Sequence, residues 1–229
     1  MTARAIVISR PILLLFDVDG TLLQAGFQEH NLALKAAVRD ICGRYPDTNL
    51  IPLAGRTDTE ILLDMAKCVG VNADADHLRR MFAAASAEFD RSCSDDVRNL
   101  VIPGVRPALD RFRQAGATMG LLTGNIEPIA WRKMTAAGLR EFFSFGAFGD
   151  ESGYRPDLAP LAAGRAGSPV HPRDSYVIGD TPLDIDCGRS CEMHTVAVGT
   201  GRYSVAELRA WNPSFVCESL EEFAGWLLG

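Results

Sequence analysis

The chain has 229 residues, 47% of them hydrophobic, and a formal net charge of −6. That supplies a sizeable core and excludes a disordered chain, while the length allows one large domain or a domain with an insertion. The acidic balance and the lack of a long basic run argue against nucleic acid and anionic membrane as partners, although a few Arg can still make a local site for an anionic substrate.

Residues 6–8 and 12–16 are apolar but short, and Arg10-Pro11 divides them. Neither is a membrane span or a signal peptide, so no membrane partner and a cytoplasmic location are expected. Residues 12–16 read as a strand buried on both faces, hence a central strand of a parallel sheet. It runs into Asp17 and Asp19, which flank Val18 and in an extended chain point to one side. Gly20 then allows a sharp turn. Alone, Asp-x-Asp-Gly is also an ordinary surface turn.

From residue 23 to 98 the pattern is helical. Residues 27–42 carry Leu32, Leu34, Ala37, Val38 and Ile41 at helical spacing, with Gly43 as a stop. After a loop over 45–55, Thr57 or Asp58 caps a helix to residue 69, with Ile61, Leu62, Met65 and Ala66 inside. Asn72 or Asp74 caps another that runs towards Cys93. With no strand expected, this block reads as an insertion covering the sheet. The predicted division is an α/β core over 1–22 and 99–229 and an all-helical cap over 23–98.

From residue 101 strands and helices alternate. Strands are expected at 118–122, 145–148, 175–178, 194–198 and 215–217. Helices are expected at 105–115, 128–137, 156–166, 184–190, 205–211 and 220–228. The fold class is therefore α/β, with a doubly wound parallel sheet. The six Cys show no Cys-x-x-Cys pair. Cys187 and Cys191 have helical spacing but no matching His, and read as buried thiols. The four His stand alone and none is assigned a chemical role.

Three strands end in polar residues: Asp17 and Asp19, then Thr123-Gly124-Asn125, then Asp180-Thr181-Pro182-Leu183-Asp184. Adjacent parallel strands present their carboxyl ends at one edge, so Asp17, Asp19, Thr123, Asp180 and Asp184 should converge. Four carboxylates with few bases repel, and a hard divalent cation is their natural partner. Mg²⁺ fits, since it takes one or two carboxylates with water and substrate phosphate. The competing reading is three unrelated polar strand ends.

The segments Phe16-Asp17-Val18-Asp19-Gly20-Thr21-Leu22, Leu122-Thr123-Gly124-Asn125, Tyr154-Arg155-Pro156 and Ile178-Gly179-Asp180-Thr181-Pro182-Leu183-Asp184 resemble the motifs of the haloacid-dehalogenase-like hydrolases. The nearest likeness is to the subgroup resembling phosphoglycolate phosphatase, and the helical insertion resembles that family's cap. The resemblance implies a phosphatase acting on a small phosphorylated metabolite. In it Asp17 is the nucleophile that forms an aspartyl-phosphate, and Asp19 the acid and base. Mg²⁺ is held by Asp17, the backbone carbonyl of Asp19 and Asp180, with Asp184 behind them. Thr123 and the Gly124 amide hold phosphate oxygens. Asn125 touches substrate or caps a helix. Arg155 stands where many members carry Lys; it keeps the charge but offers a planar fork. The alternative is a surface Arg155, with the third-motif base either missing or supplied by Arg165. Arg56, in Gly55-Arg56-Thr57-Asp58, resembles a substrate-facing cap residue, with a solvated Arg before a helix as the alternative. Cys191-Glu192 replaces the small residues common in relatives and is expected to alter local packing only.

A 2-haloacid dehalogenase on this fold needs neither the metal nor an acid two residues past its nucleophile. A phosphonate hydrolase would normally add a Schiff-base Lys in the cap, where Lys35 and Lys67 have no activating setting. A sugar-phosphate mutase shares the core motifs. A non-catalytic module that binds a phosphorylated ligand is the reading from another class.

Overall fold

In a computed structural model of the protein, residues 11–49, 51–167 and 170–229 are described, and the apolar stretch 6–8 lies outside them. Six strands form one parallel sheet: β1 (Leu13–Phe16), β2 (Thr118–Leu122), β3 (Gly146–Ala147), β4 (Ser175–Gly179), β5 (His194–Val198) and β6 (Phe215–Cys217). Their order is β3-β2-β1-β4-β5-β6. The chain steps from β1 outward to β3, then crosses back to β4 on the other side of β1. Such a reversal opens a crevice at the carboxyl ends of the strands on either side of it. Phe16 lies level with Leu121 on one side and Ile178 on the other, so the segments after β1, β2 and β4 emerge together.

The four β1 side chains are fully buried, two on each face. Leu14 and Phe16 face a large cluster that includes Phe112, Phe143 and Phe223. Leu13 and Leu15 face a smaller one with Leu158, Val177 and Cys187. The first cluster is supplied by helices α4 (Val105–Gln114), α5 (Glu127–Ala136) and α9 (Leu220–Leu228). The second is supplied by α6 (Leu158–Gly164) and α7 (Pro182–Ser190). The Phe16 ring lies 6.1 Å from that of Phe112 and 5.9 Å from that of Phe143. Truncating a ring in such a setting costs about 3–5 kcal/mol.

Between β1 and α4 the chain leaves the sheet as α1 (Gln28–Cys42), α2 (Asp58–Cys68) and α3 (Ala75–Ser92). The exit and return run side by side: Gln24 N–H donates to the Leu100 carbonyl at 2.8 Å, and Ile102 N–H to that of Leu22 at 3.1 Å. Gly43 ends α1 in the left-handed conformation. Thr57 and Glu60 cap α2 reciprocally, and Asp74 caps α3. Phe27, Leu34, Leu62, Met81 and Phe89 from this block join the same apolar cluster as Phe16.

The expected elements are present with local changes. The helix expected at 156–166 begins as a 3-10 turn over Arg155–Asp157 and ends at Gly164. The strand expected at 145–148 keeps only two residues, and the helix expected at 205–211 is α8 (Val205–Arg209). Glu192, the departure from small residues, adopts φ 57°, a left-handed conformation that a side chain disfavours. All six cysteines are free. No described helix is long and apolar enough to cross a membrane.

Candidate active site

Asp17 follows β1 directly, and its N–H donates to the Ile178 carbonyl at 2.9 Å. Asp180 follows β4, on the other side of the reversal. Asp184 sits in the first turn of α7, where its Oδ2 accepts from Thr181 N–H at 3.0 Å and Thr181 Oγ1 at 2.6 Å. Asp17, Asp180 and Asp184 each bring a carboxylate oxygen into a group spanning no more than 4.8 Å. The Arg155 guanidinium closes the group. Its Nη2 donates to Asp17 Oδ1 at 2.8 Å and to Asp184 Oδ1, and its Nη1 to the Gly55 carbonyl at 3.0 Å. All four side chains are buried.

Burial disfavours the charged carboxylates, and Arg155 pairs with only two of the three, Asp17 and Asp184. Asp17 is pushed up to about 7 by burial and by the charges of Asp184 and Asp19, against the pull of Arg155. Asp180 is pushed up to about 8 by burial and then by Asp17 and Asp184. Burial works against the Arg155 charge as well, but Asp184 and Asp17 hold it above its ordinary value. Asp180 Oδ1 is buried without a hydrogen-bond partner. Hard oxygens, surplus negative charge and an orphaned carboxylate oxygen fit a hard divalent cation. Asp184 has one oxygen on Arg155 and the other on Thr181, which suits it to orienting rather than ligating. Gly20, at φ 96°, lets the turn after Asp19 pass against Asp180, where any Cβ would collide with that carboxylate.

Asp19 occupies a different setting. Lys133 Nζ, on α5, donates to its Oδ1 at 2.8 Å and its Oδ2 at 2.6 Å, and Asn125 Nδ2 donates to Oδ2 at 2.9 Å. Burial would raise this carboxyl, but the Lys133 charge and the bonds from Lys133 and Asn125 outweigh it and hold it below the usual range. The Lys133 ammonium also meets Asn125 Oδ1 at 2.8 Å and His30 Nδ1 at 3.2 Å. His30 Nε2 lies 2.9 Å from Asp58 Oδ2.

Thr123 is fully buried after β2, and its Oγ1 accepts from Asn125 N–H at 3.3 Å. Gly124 allows the helical insertion to close on this loop: a Cβ there would collide with the Arg56 carbonyl. Asp58 N–H donates to the Gly124 carbonyl at 2.7 Å. Asn125 does not cap α5, since its side chain is committed to Asp19 and Lys133. A cavity of about 320 Å³ lies over the carboxylates, with Phe27, Leu34, Leu53 and Ile61 among its apolar walls. Arg56 reaches it, but its guanidinium is held by Asp64 at 2.9 Å, the Pro52 carbonyl at 3.2 Å and Glu60 at 3.7 Å. Arg202, an exposed side chain after β5, also lines the cavity. Arg165 lies away from it, paired with Glu151 and the Gly146 carbonyl.

Residues 14–198 match the haloacid dehalogenase-like hydrolase family. The chain belongs to that family. It is 24% identical to Probable phosphatase IndB of Dickeya dadantii, over 93% of this chain and 92% of that protein. It is 22% identical to phosphoglycolate phosphatase of Nitrosococcus oceani, over 96% and 98% of the two chains. The fold matches the crystal structure of a hydrolase from Pseudomonas syringae with a TM-score of 0.67 at 22% identity, covering 94% and 97%.

As a haloacid dehalogenase-like hydrolase the protein has its motif residues in one crevice, with Arg155 and not Arg165 on the aspartates. Sequence reasoning missed Lys133, His30 and Asp58. The signal for Lys133 was present: Ile126, Ile129, Ala130, Met134 and Ala137 form a buried stripe on α5 and its caps, and Lys133 lies on that stripe. A charge on an inward face requires a buried partner. His30 gave no such signal, because its partners come from other elements.

Proposed function

We propose that the protein is a Mg²⁺-dependent phosphatase that hydrolyses a small phosphorylated metabolite through an aspartyl-phosphate on Asp17. The observation that carries this reading is the opposed setting of two carboxylates one residue apart. Asp17 lies among carboxylates at the sheet reversal, and Asp19 lies against a buried ammonium. In the metal-free fold Asp17 is the raised carboxyl and Asp19 the lowered one, so their roles call for a cation to bring Asp17 down and the substrate's charge to bring Asp19 up. The phosphatase names of the relatives support the same reading.

Asp17 attacks phosphorus, and the bond to the leaving alkoxide breaks as Asp19 donates its proton. In the substrate-free protein Asp19 is ionised; a phosphate's negative charge beside it raises its pKa and favours the proton it must carry. Asp19 then takes a proton from the water that attacks the phosphorylated Asp17, and Asp17 leaves as carboxylate. Arg155 faces the charge that develops on the transferring group, with Thr123 and the Gly124 amide on the phosphate oxygens. Asp17, the Asp19 carbonyl and Asp180 would hold Mg²⁺, which when bound neutralises the aspartates and the phosphate. Residues 23–98 serve as the cap that shields this chemistry from water, and the protein works in the cytoplasm.

The test is a screen of phosphorylated metabolites with purified protein, in Mg²⁺ and in chelator, with halide release from 2-haloacids in parallel. Phosphate release that needs Mg²⁺ is the expected result. Halide release without metal, and no phosphate release, would replace this reading with the dehalogenase.

A further inference from the structure

Lys133 is a fully buried ammonium whose three protons meet three acceptor groups. These are the Asp19 carboxylate at 2.6 and 2.8 Å, Asn125 Oδ1 at 2.8 Å and His30 Nδ1 at 3.2 Å. The rings of Phe27 and Phe89 flank it at 5.0 and 6.0 Å. A buried charge is tolerated when it is paired and its remaining protons are satisfied, which is the case here. An ammonium only donates, so His30 Nδ1 accepts and Nε2 bears the hydrogen that Asp58 Oδ2 accepts at 2.9 Å. Asp58 Oδ2 also accepts from Ile126 N–H at 2.8 Å. A continuous chain Asp58–His30–Lys133–Asp19 thus runs from α2 through α1 to α5 and ends on the acid.

The chain crosses between the two parts of the molecule. Asp58 and His30 belong to the helical insertion; Lys133, Asn125 and Asp19 belong to the sheet side. Lys133 and Asn125 engage both oxygens of Asp19 and fix the plane of its carboxylate. Lys133 in turn donates to His30 on α1 at 3.2 Å.

We propose that Lys133 is the positioning residue for Asp19, and that His30 and Asp58 make this positioning depend on the cap being seated. The inference rests on the reading of Asp19 as the acid and base. Its expected consequence is selective. An alkyl phosphate must have its leaving alkoxide protonated, whereas p-nitrophenolate leaves with little help from an acid. Disturbing Lys133 should therefore cost more on the alkyl ester, in kcat rather than KM.

The experiment measures wild type, Lys133→Met, His30→Gln, Asp19→Asn and the Lys133→Met/Asp19→Asn double variant. The substrates are an alkyl phosphate found by screening and p-nitrophenyl phosphate, both in Mg²⁺. Lys133→Met is expected to lower kcat on the alkyl ester by ~10- to 100-fold, a share of the ~10²–10⁴ that a general acid supplies, with a loss at least ~5-fold smaller on the aryl ester. In the Asp19→Asn background the same substitution should cost less than ~3-fold, because residues that act as a unit are not additive. Equal losses on both esters, or the same loss with and without Asp19, would overturn the proposal. If Lys133→Met does not fold, His30→Gln decides: a kcat loss of ~3- to 10-fold confined to the alkyl ester supports the chain, and an unselective effect or none defeats it. Failure of the phosphatase reading is distinguishable, since the wild type would then hydrolyse neither ester.

Discussion

The two walls of the crevice solve opposite electrostatic problems. On the Asp19 side the carboxylate faces the Lys133 ammonium, and both of its oxygens accept hydrogen bonds. On the Asp17 side Arg155 pairs with Asp17 and Asp184 but not with Asp180, so one cation stands against three carboxylates and the ionised forms of Asp17 and Asp180 are disfavoured. One wall is complete within the protein; the other needs a divalent cation to match it. The difference between two aspartates separated only by Val18 therefore places the proposed Mg²⁺ beside Asp17 and keeps it off the Asp19 carboxylate.

The most direct way to break the comparison is to neutralise the proposed nucleophile. Asp17→Asn keeps the shape and removes the attacking oxygen anion. Turnover is expected to fall by ~10⁴-fold or more, as when a covalent nucleophile is lost. The circular dichroism spectrum should be unchanged and the melting temperature should not fall, because the substitution also relieves repulsion. Retained turnover at a tenth of wild type would remove Asp17 from its role.

Neutralising Asp180 sharpens the claim of uncompensated charge. Its carboxyl titrates near 8 in the metal-free fold, against an ordinary value of 3.8. Between those values the folded protein keeps a proton that the unfolded chain has released. Its contribution to stability is thus present below pH 4 and is lost as the pH rises towards 8. In chelator, the melting temperature of Asp180→Asn should gain on wild type steadily from pH 5 to pH 8. Mg²⁺ should reverse the order, since it stabilises the state it binds and the variant binds it ~10- to 100-fold more weakly. A gap that does not change with pH would mean that Asp180 is compensated by some other group.

Removing Arg155 from the crowded wall should be costly to stability. Arg155→Met leaves buried carboxylates without their partner, which destabilises by about 3–5 kcal/mol. In chelator the loss should be largest at pH 7 to 8 and shrink towards pH 5, where the carboxylates take up protons. Urea unfolding at the two pH values measures it. A loss that is independent of pH would assign Arg155 to packing.

The same contrast explains what could be read from the sequence. The convergence of Asp17, Asp19, Thr123 and Asp180 was legible because each follows the carboxyl end of a strand and a parallel sheet gathers such ends, and that of Asp184 because it opens the helix after the last of them. The sheet itself was legible from the alternation of apolar runs and helical stripes. Of the Asp19 partners, Asn125 was legible in the loop after β2, whereas Lys133 was obscure in a helix interior, and its meeting with His30 depends on how the insertion seats on α5. Lys133 could have been found from its stripe; the His30 contact could not, because nothing local to residue 30 specifies α5 as its neighbour. The short β3 and the 3-10 start at Arg155 are set by tertiary packing rather than by local propensity.

The smallest expected effect concerns the two arginines at the cavity. The sequence points to Arg56 as the residue that meets a second anionic group on the substrate. Its guanidinium is held by Asp64, Glu60 and the Pro52 carbonyl, so its charge is already met by its own helix. Arg202 lines the same cavity and makes no side-chain ion pair among the described residues. We therefore expect Arg202 to supply the charge that selects an anionic substrate, and Arg56 to shape the loop against Gly124. A charge-assisted hydrogen bond contributes ~1.5–3 kcal/mol when desolvated, and less at an exposed rim. Arg202→Ala should therefore raise KM for a phosphorylated carboxylate by ~3- to 10-fold and leave that for p-nitrophenyl phosphate nearly unchanged. Arg56→Ala should alter both substrates by less than ~3-fold, because its charge is already committed to Asp64 and Glu60. The opposite ranking would return selectivity to Arg56 and require its pairs with Asp64 and Glu60 to open when substrate binds.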